Sequence, residues 1–145
     1  MRNRTMKKKA VPVIVLSLAG AAWLLAMSLA GSTTTAREAA VTPLVSKDLS
    51  YAAGKELSML TIEYPPGASS PEHAHHAQAL VYVLEGSIVM QVKGGAPVTL
   101  TPGQTWYEGP DDVHVVSRNA SSSAPAKYLV YMVKDKGAPF LVPAK

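Results

Sequence analysis

From Leu44 onward the chain is broken every few residues by Gly or Pro into short runs rich in Val, Ile, Leu, Thr and Tyr. The runs are Leu57–Tyr64, Leu80–Leu84, Ser87–Val92, Val98–Leu100, Thr105–Tyr107, Val113–Ser117, Ala126–Val133 and Phe140–Val142. No run of helical length and period survives after residue 40. Eight short strands at this spacing predict an all-β domain, an antiparallel sandwich or barrel. The punctuation has turn chemistry of its own. Glu85-Gly86 ends one run, Lys93-Gly94-Gly95 suits a hairpin, and Pro102-Gly103 suits the two central positions of a type II turn. Asn119 to Pro125 reads as a surface loop between the last long strands.

The N-terminus is of another kind. Arg2, Arg4, Lys7, Lys8 and Lys9 precede an apolar run from Ala10 to Ala30, the layout of an export signal or a membrane anchor. Small residues at Ser28 and Ala30, or at Thr34 and Ala36, offer cleavage sites. The 21 apolar-rich residues exceed a usual signal core and approach a membrane span. Cleavage is the preferred expectation, with an uncleaved anchor as the alternative. The sequence divides accordingly into a signal peptide or anchor at 1–36, a linker at 37–43 and a folded domain at 44–145, with residues 31–43 read as a tether. The expected location is periplasmic or secreted.

Charge and cysteine content narrow the function classes. The sequence pI is near 9.4, which would ordinarily point to an anionic partner. Removing the five basic residues of the leader from the 14 Lys and Arg leaves nine against ten Asp and Glu, a net of −1. The basic balance therefore belongs to the leader, and nucleic-acid binding loses its support. The chain has no cysteine, which excludes disulfides, a cysteine nucleophile and a lipid anchor on an N-terminal cysteine. Nucleophile elbows and phosphate-cradling glycine loops are also missing from the sequence.

What remains is a histidine pattern. His73 and His75 lie two positions apart as the chain enters an apolar, β-branched run. In an extended backbone such residues share a face, so both imidazoles can serve adjacent coordination positions, while His76 faces away and is expected in solvent. His114 opens a later β-branched run and supplies the third imidazole of a facial site.

These residues carry a resemblance to the cupins, double-stranded β-helix (jelly-roll) barrels whose first motif is G-x5-H-x-H-x3,4-E-x6-G. Gly67, His73, His75 and Gly86 fall in register with it, but Ala79 stands where the family places a glutamate ligand. The second motif, G-x5-P-x-G-x2-H-x3-N, keeps Gly103 and His114 and carries Gly109, Asp111 and Arg118 at its Pro, Gly and Asn positions. Pro110 and Asn119 lie one residue beyond, which suggests a remodelled turn. The resemblance covers about residues 57–133, and the 16 residues between Gly86 and Gly103 suit a compact, single-domain member.

The resemblance implies one divalent transition metal, Fe, Mn, Ni, Cu or Zn, held by His73, His75 and His114 without a carboxylate. Three neutral imidazoles leave the ion its full charge and favour a small anionic or enolisable ligand. Two functions follow. One is a dioxygenase-like enzyme with no catalytic residue yet assigned; the other is a non-catalytic metal- or small-ligand-binding module. A vestigial pocket and a membrane-tethered interaction domain are the structural alternatives. Gln78 is a candidate neutral fourth ligand, although its parity opposes that of the histidines. Glu72 and Glu108 read as solvated or as outer partners, and Tyr82, Met90, Trp106, Tyr107 and Met132 read as packing residues. The implied partner is a small molecule, with a homodimer as the assembly small cupins often form. A membrane partner requires Ala10–Ala30 to remain uncleaved.

Overall fold

The computed structural model describes residues 38–110 and 112–144. The leader and its cleavage sites lie outside the described residues. Ten strands make two five-stranded antiparallel sheets. The first has the order β1-β2-β9-β4-β7 and the second β10-β3-β8-β5-β6. The strands are β1 (Ala40–Asp48), β2 (Lys55–Tyr64), β3 (His73–Ala74), β4 (Ala77–Glu85) and β5 (Ile88–Val92), followed by β6 (Val98–Leu100), β7 (Thr105–Glu108), β8 (Val113–Asn119), β9 (Ala126–Asp135) and β10 (Val142–Pro143). Among the described residues there is no helix.

The first seven expected runs are present as strands, the last is reduced to β10 with Phe140 and Leu141 outside it, and two elements are added. β1 begins at Ala40 and pairs with β2 from Ala40↔Glu63 onward, so part of the expected tether is an edge strand. Its residues are exposed along their whole length, which explains why no apolar alternation marked it. β3 is two residues long, below the length at which a pattern can show.

Strict period-2 alternation fills the space between the sheets. Leu60, Ile62 and Tyr64 of β2, Ala77, Ala79, Val81 and Val83 of β4, and Tyr128, Val130 and Met132 of β9 face inward. They meet Ile88, Met90 and Leu100 of the other sheet in one core. Each large aliphatic side chain buried this way contributes on the order of 1.5–3 kcal/mol.

Two features set the frame of the site. Gly103 adopts φ +88° at the second centre of a turn closed by the Gln104 N–H donating to the Thr101 carbonyl, as a type II turn requires. On β8 the pairing with β5 slips between Gln91↔Val116 and Val92↔His114, so the strand carries a bulge at Val115. The extra residue lets both His114 and Asn119 face inward although they are five apart. Asn119 is buried. Its amide donates to the carbonyls of Tyr64, Pro65 and Ala124, and its oxygen accepts from the Ser121 N–H. The asparagine one position late in the second motif is thus seated by the bulge.

Candidate metal centre

His73 and His114 sit directly opposite each other on paired strands, β3 and β8. Their rings stack with centroids 5.0 Å apart and planes 16° from parallel. His75 does not continue β3; it lies in the bend between β3 and β4, and its ring stands edge-on to His73 at 4.9 Å. The structure therefore brings the three expected histidines together, through a bend rather than an extended dipeptide.

Glu108 lies beside them, and its burial corrects the expectation of a solvated side chain. Glu108 is 2% exposed, and its Oε2 lies 3.0 Å from His114 Nε2 and 3.3 Å from His75 Nε2. His75, Glu108 and His114 form the compact group able to share one ion, each offering one ligand atom within 4.8 Å of the others. His73 packs against this group without joining it at that distance. The reason Glu108 is inside is parity. On β7, Trp106 packs against the core, and Glu108, two residues on, shares its face. The sequence did not settle that face, because Trp106 and Tyr107, of opposite parity, both read as packing residues; in the structure Trp106 packs inward and Tyr107 is exposed.

Register adds a further point. Ala79, at the position where the cupin motif carries glutamate, is paired directly with Glu108 across β4 and β7. Both are buried. The carboxylate missing from one strand is present on its neighbour, one strand spacing away. Gln78, by contrast, is exposed, which removes it as a ligand. His76 and Glu72 are also exposed.

The ring orientations suit metal binding. His73 Nδ1 donates to the Pro71 carbonyl at 2.8 Å and His75 Nδ1 to the Phe140 carbonyl at 2.5 Å. With Nδ1 carrying the proton, each Nε2 is left as a lone pair. Burial pulls the His73 pKa below its ordinary value, against the opposing pull of the Pro71 carbonyl, which favours the neutral form a metal needs. Glu108 Oε2 and both nitrogens of His114 are buried and make no hydrogen bond, so the close approaches to Oε2 are not hydrogen-bonded contacts. Buried polar atoms without partners are costly. A divalent ion among them would take Glu108 Oε2 and the facing Nε2 of His114, so the donor set fits such an ion, while His114 Nδ1 stays without a partner.

The cluster opens into a cavity of about 60 Å³. Leu60, Val81, Met90, Val130, Met132 and Phe140 form much of its wall. Apart from the cluster, its polar side chains are Ser70, Ser117 and Tyr128. Ser70 and Ser117 are both engaged by the Tyr64 hydroxyl, at 2.6 and 2.9 Å. Burial holds the Tyr128 phenol well above its usual pKa, so it keeps its proton. Among the described residues, no Lys or Arg lines the cavity.

Two antiparallel sheets enclosing a histidine-carboxylate cluster define a small double-stranded β-helix domain with a candidate metal centre. Residues 60–132 match the family model of the cupin domain, and the chain belongs to the cupin superfamily. Solved structures agree at the level of fold. The DMSP lyase DddQ from Ruegeria pomeroyi is 23% identical, with a TM-score of 0.61 over 74% of this chain and 52% of that one. The chain thus spans about half the length of that lyase. TT1209 from Thermus thermophilus is 24% identical, with a TM-score of 0.54 over 67% and 84% of the two chains. A cupin domain from Bordetella pertussis is 18% identical, with a TM-score of 0.54 over 68% and 95%. No protein of curated function matches this sequence.

Proposed function

We propose that this protein is an exported cupin that binds one divalent transition metal through His73, His75, His114 and Glu108 and acts on a small anionic or enolisable molecule in a dioxygenase-like reaction. The observation that carries the reading is the buried Glu108 Oε2, which faces His75 and His114 without a hydrogen-bond partner. Glu108 also revises the charge argument. A carboxylate beside three neutral imidazoles lowers a divalent ion to a net 1+, so one monoanionic ligand would neutralise the centre. When bound, the ion would supply Lewis acidity and a template for ligand and co-substrate.

The chain's own residues set the rest. The apolar wall excludes water and strengthens electrostatic contact within the cavity. The absence of a lining Lys or Arg among the described residues disfavours phosphorylated or multiply anionic substrates. A second reading, a non-catalytic binding module, is favoured by a specific observation: the cavity's hydroxyls are mutually engaged or held protonated, which leaves no free general base outside the cluster. Export rests on the leader pattern at Arg2 to Ala30, and sequencing the mature N-terminus tests it.

Metal analysis of the purified protein beside the combined His73→Ala, His75→Ala, His114→Ala variant tests the metal reading. About one ion per chain is expected in wild type and none in the variant; equal content would end the reading. Oxygen consumption against diketones, thiols and catechols then separates enzyme from binder.

A further inference from the structure

Lys134 is a buried ammonium in a domain whose other inward positions on the same strand are apolar. On β9 the inward row runs Ala126, Tyr128, Val130, Met132 and then Lys134, which is 4% exposed. On β2 the inward row Tyr64, Ile62, Leu60 and Ser58 continues to Glu56. Glu56 and Lys134 are paired directly across the two strands, so each row ends in a charge that meets the other. An unmatched ammonium in this position would be strongly disfavoured.

The Lys134 Nζ donates to the Glu56 carboxylate and, at 2.7 Å, to the Ala138 carbonyl. It also lies 5.3 Å from the centroid of the Phe140 ring, within cation-π range. The segment that leaves β9 is therefore fastened at Ala138 and Phe140 by one side chain. Downstream it is fastened again, since β10 pairs Val142 with Ala74 and Pro143 with His73. Between these two attachments the Phe140 carbonyl accepts the His75 Nδ1 proton. That bond decides which nitrogen of His75 is presented to Glu108.

We propose that Lys134 is a positioning residue for the cluster: by holding Ala138 and Phe140 it keeps the Phe140 carbonyl on His75 and fixes the tautomer in which Nε2 is a free lone pair. The C-terminal segment is in this account a strap whose tension is set by the Glu56–Lys134 pair. The effect on metal affinity rests on the metal reading above; the tautomer does not.

The test uses the full-length protein. Lys134→Met leaves Glu56 facing an apolar group and risks misfolding, so Glu56→Gln/Lys134→Met is made beside it to remove both charges. Nitrogen-15 NMR of the metal-free protein at pH 8 reads the His75 tautomer. The expected result is an Nδ1–H form in wild type and loss of that single form in the folded double variant. Cobalt(II) affinity, by competition with a chelator, should fall roughly 10–100-fold, the range for groups that orient a ligating histidine. In a His75→Ala background the same double substitution should cause no further loss.

An Nε2–H form in wild type, an unchanged tautomer in the double variant, or an equal affinity loss without His75 would each overturn the proposal. If wild type binds no cobalt(II) while the tautomer shifts as expected, the metal reading fails and the positioning role stands.

Discussion

In the proposed metal centre Glu108 is the residue on which the chemistry turns, because it is the one carboxylate beside three imidazoles. Glu108→Gln keeps the volume and removes the charge. Metal affinity is expected to fall by at least about 100-fold, beyond the range seen when partners outside the ligand set are changed. Isothermal titration with zinc or cobalt(II) measures it, and a loss under threefold would return Glu108 to an outer role. His73 gives a second expectation. Its pKa is held below 6.5, chiefly by burial, so between that lowered value and 6.5 the unfolded chain carries more protons than the native one. Stability of the metal-free protein therefore falls as pH drops through this window, and the cost attributable to His73 is absent above it. Urea midpoints measured between pH 7.5 and pH 5 should decline more steeply in wild type than in His73→Gln.

At the level of strands, the pairing of Ala79 with Glu108 makes a rescue expectation. Directly paired residues have Cβ atoms about 4.5–5.5 Å apart on one face, within the span a glutamate side chain covers. Ala79→Glu in a Glu108→Ala background should recover metal binding to within about tenfold of wild type by the same titration, whereas Ala79→Gln should not. The same register explains what was legible beforehand. Period-2 alternation exposed the long inward rows of β2, β4 and β9, and glycine-proline punctuation bounded them. The carboxylate was hidden because it is on β7, a strand of four residues whose link to Ala79 is a pairing between strands. β1 and β3 were hidden for want of apolar pattern and of length, and the late Asn119 made sense once the bulge at Val115 was seen. Gly86 was read as a turn and is more constrained than that. At φ +68°, a Cβ there would come within 2.4 Å of the Pro125 carbonyl oxygen. Left-handed backbone alone costs roughly 1–2 kcal/mol in a residue with a side chain, so Gly86→Ala should destabilise by at least about 2 kcal/mol in urea denaturation.

For the whole molecule, the cluster ties together parts of the chain that the sequence keeps apart. His73 and His75 come before β4, Glu108 ends β7, and His114 lies on β8 in the opposite sheet. An unfolded chain offers a metal only the local run Glu72-His73-Ala74-His75-His76, without Glu108 and His114 held beside it, so a divalent ion that binds the cluster more tightly than this run favours the native protein. With no cysteine in the chain, disulfides do not contribute to that balance. At a free metal concentration 100 times the dissociation constant, linkage adds about 2.7 kcal/mol to the native state. For a domain of this size that amounts to a rise in Tm of roughly 10 °C. Scanning calorimetry with and without zinc, followed by a chelator, should show the rise and its reversal in wild type. Neither should appear in a His75→Ala/Glu108→Ala variant, because the ligands that remain, His73 and His114, make a poorer site. A rise of equal size in that variant would place the stabilising ion elsewhere on the protein and separate metal binding from the cluster.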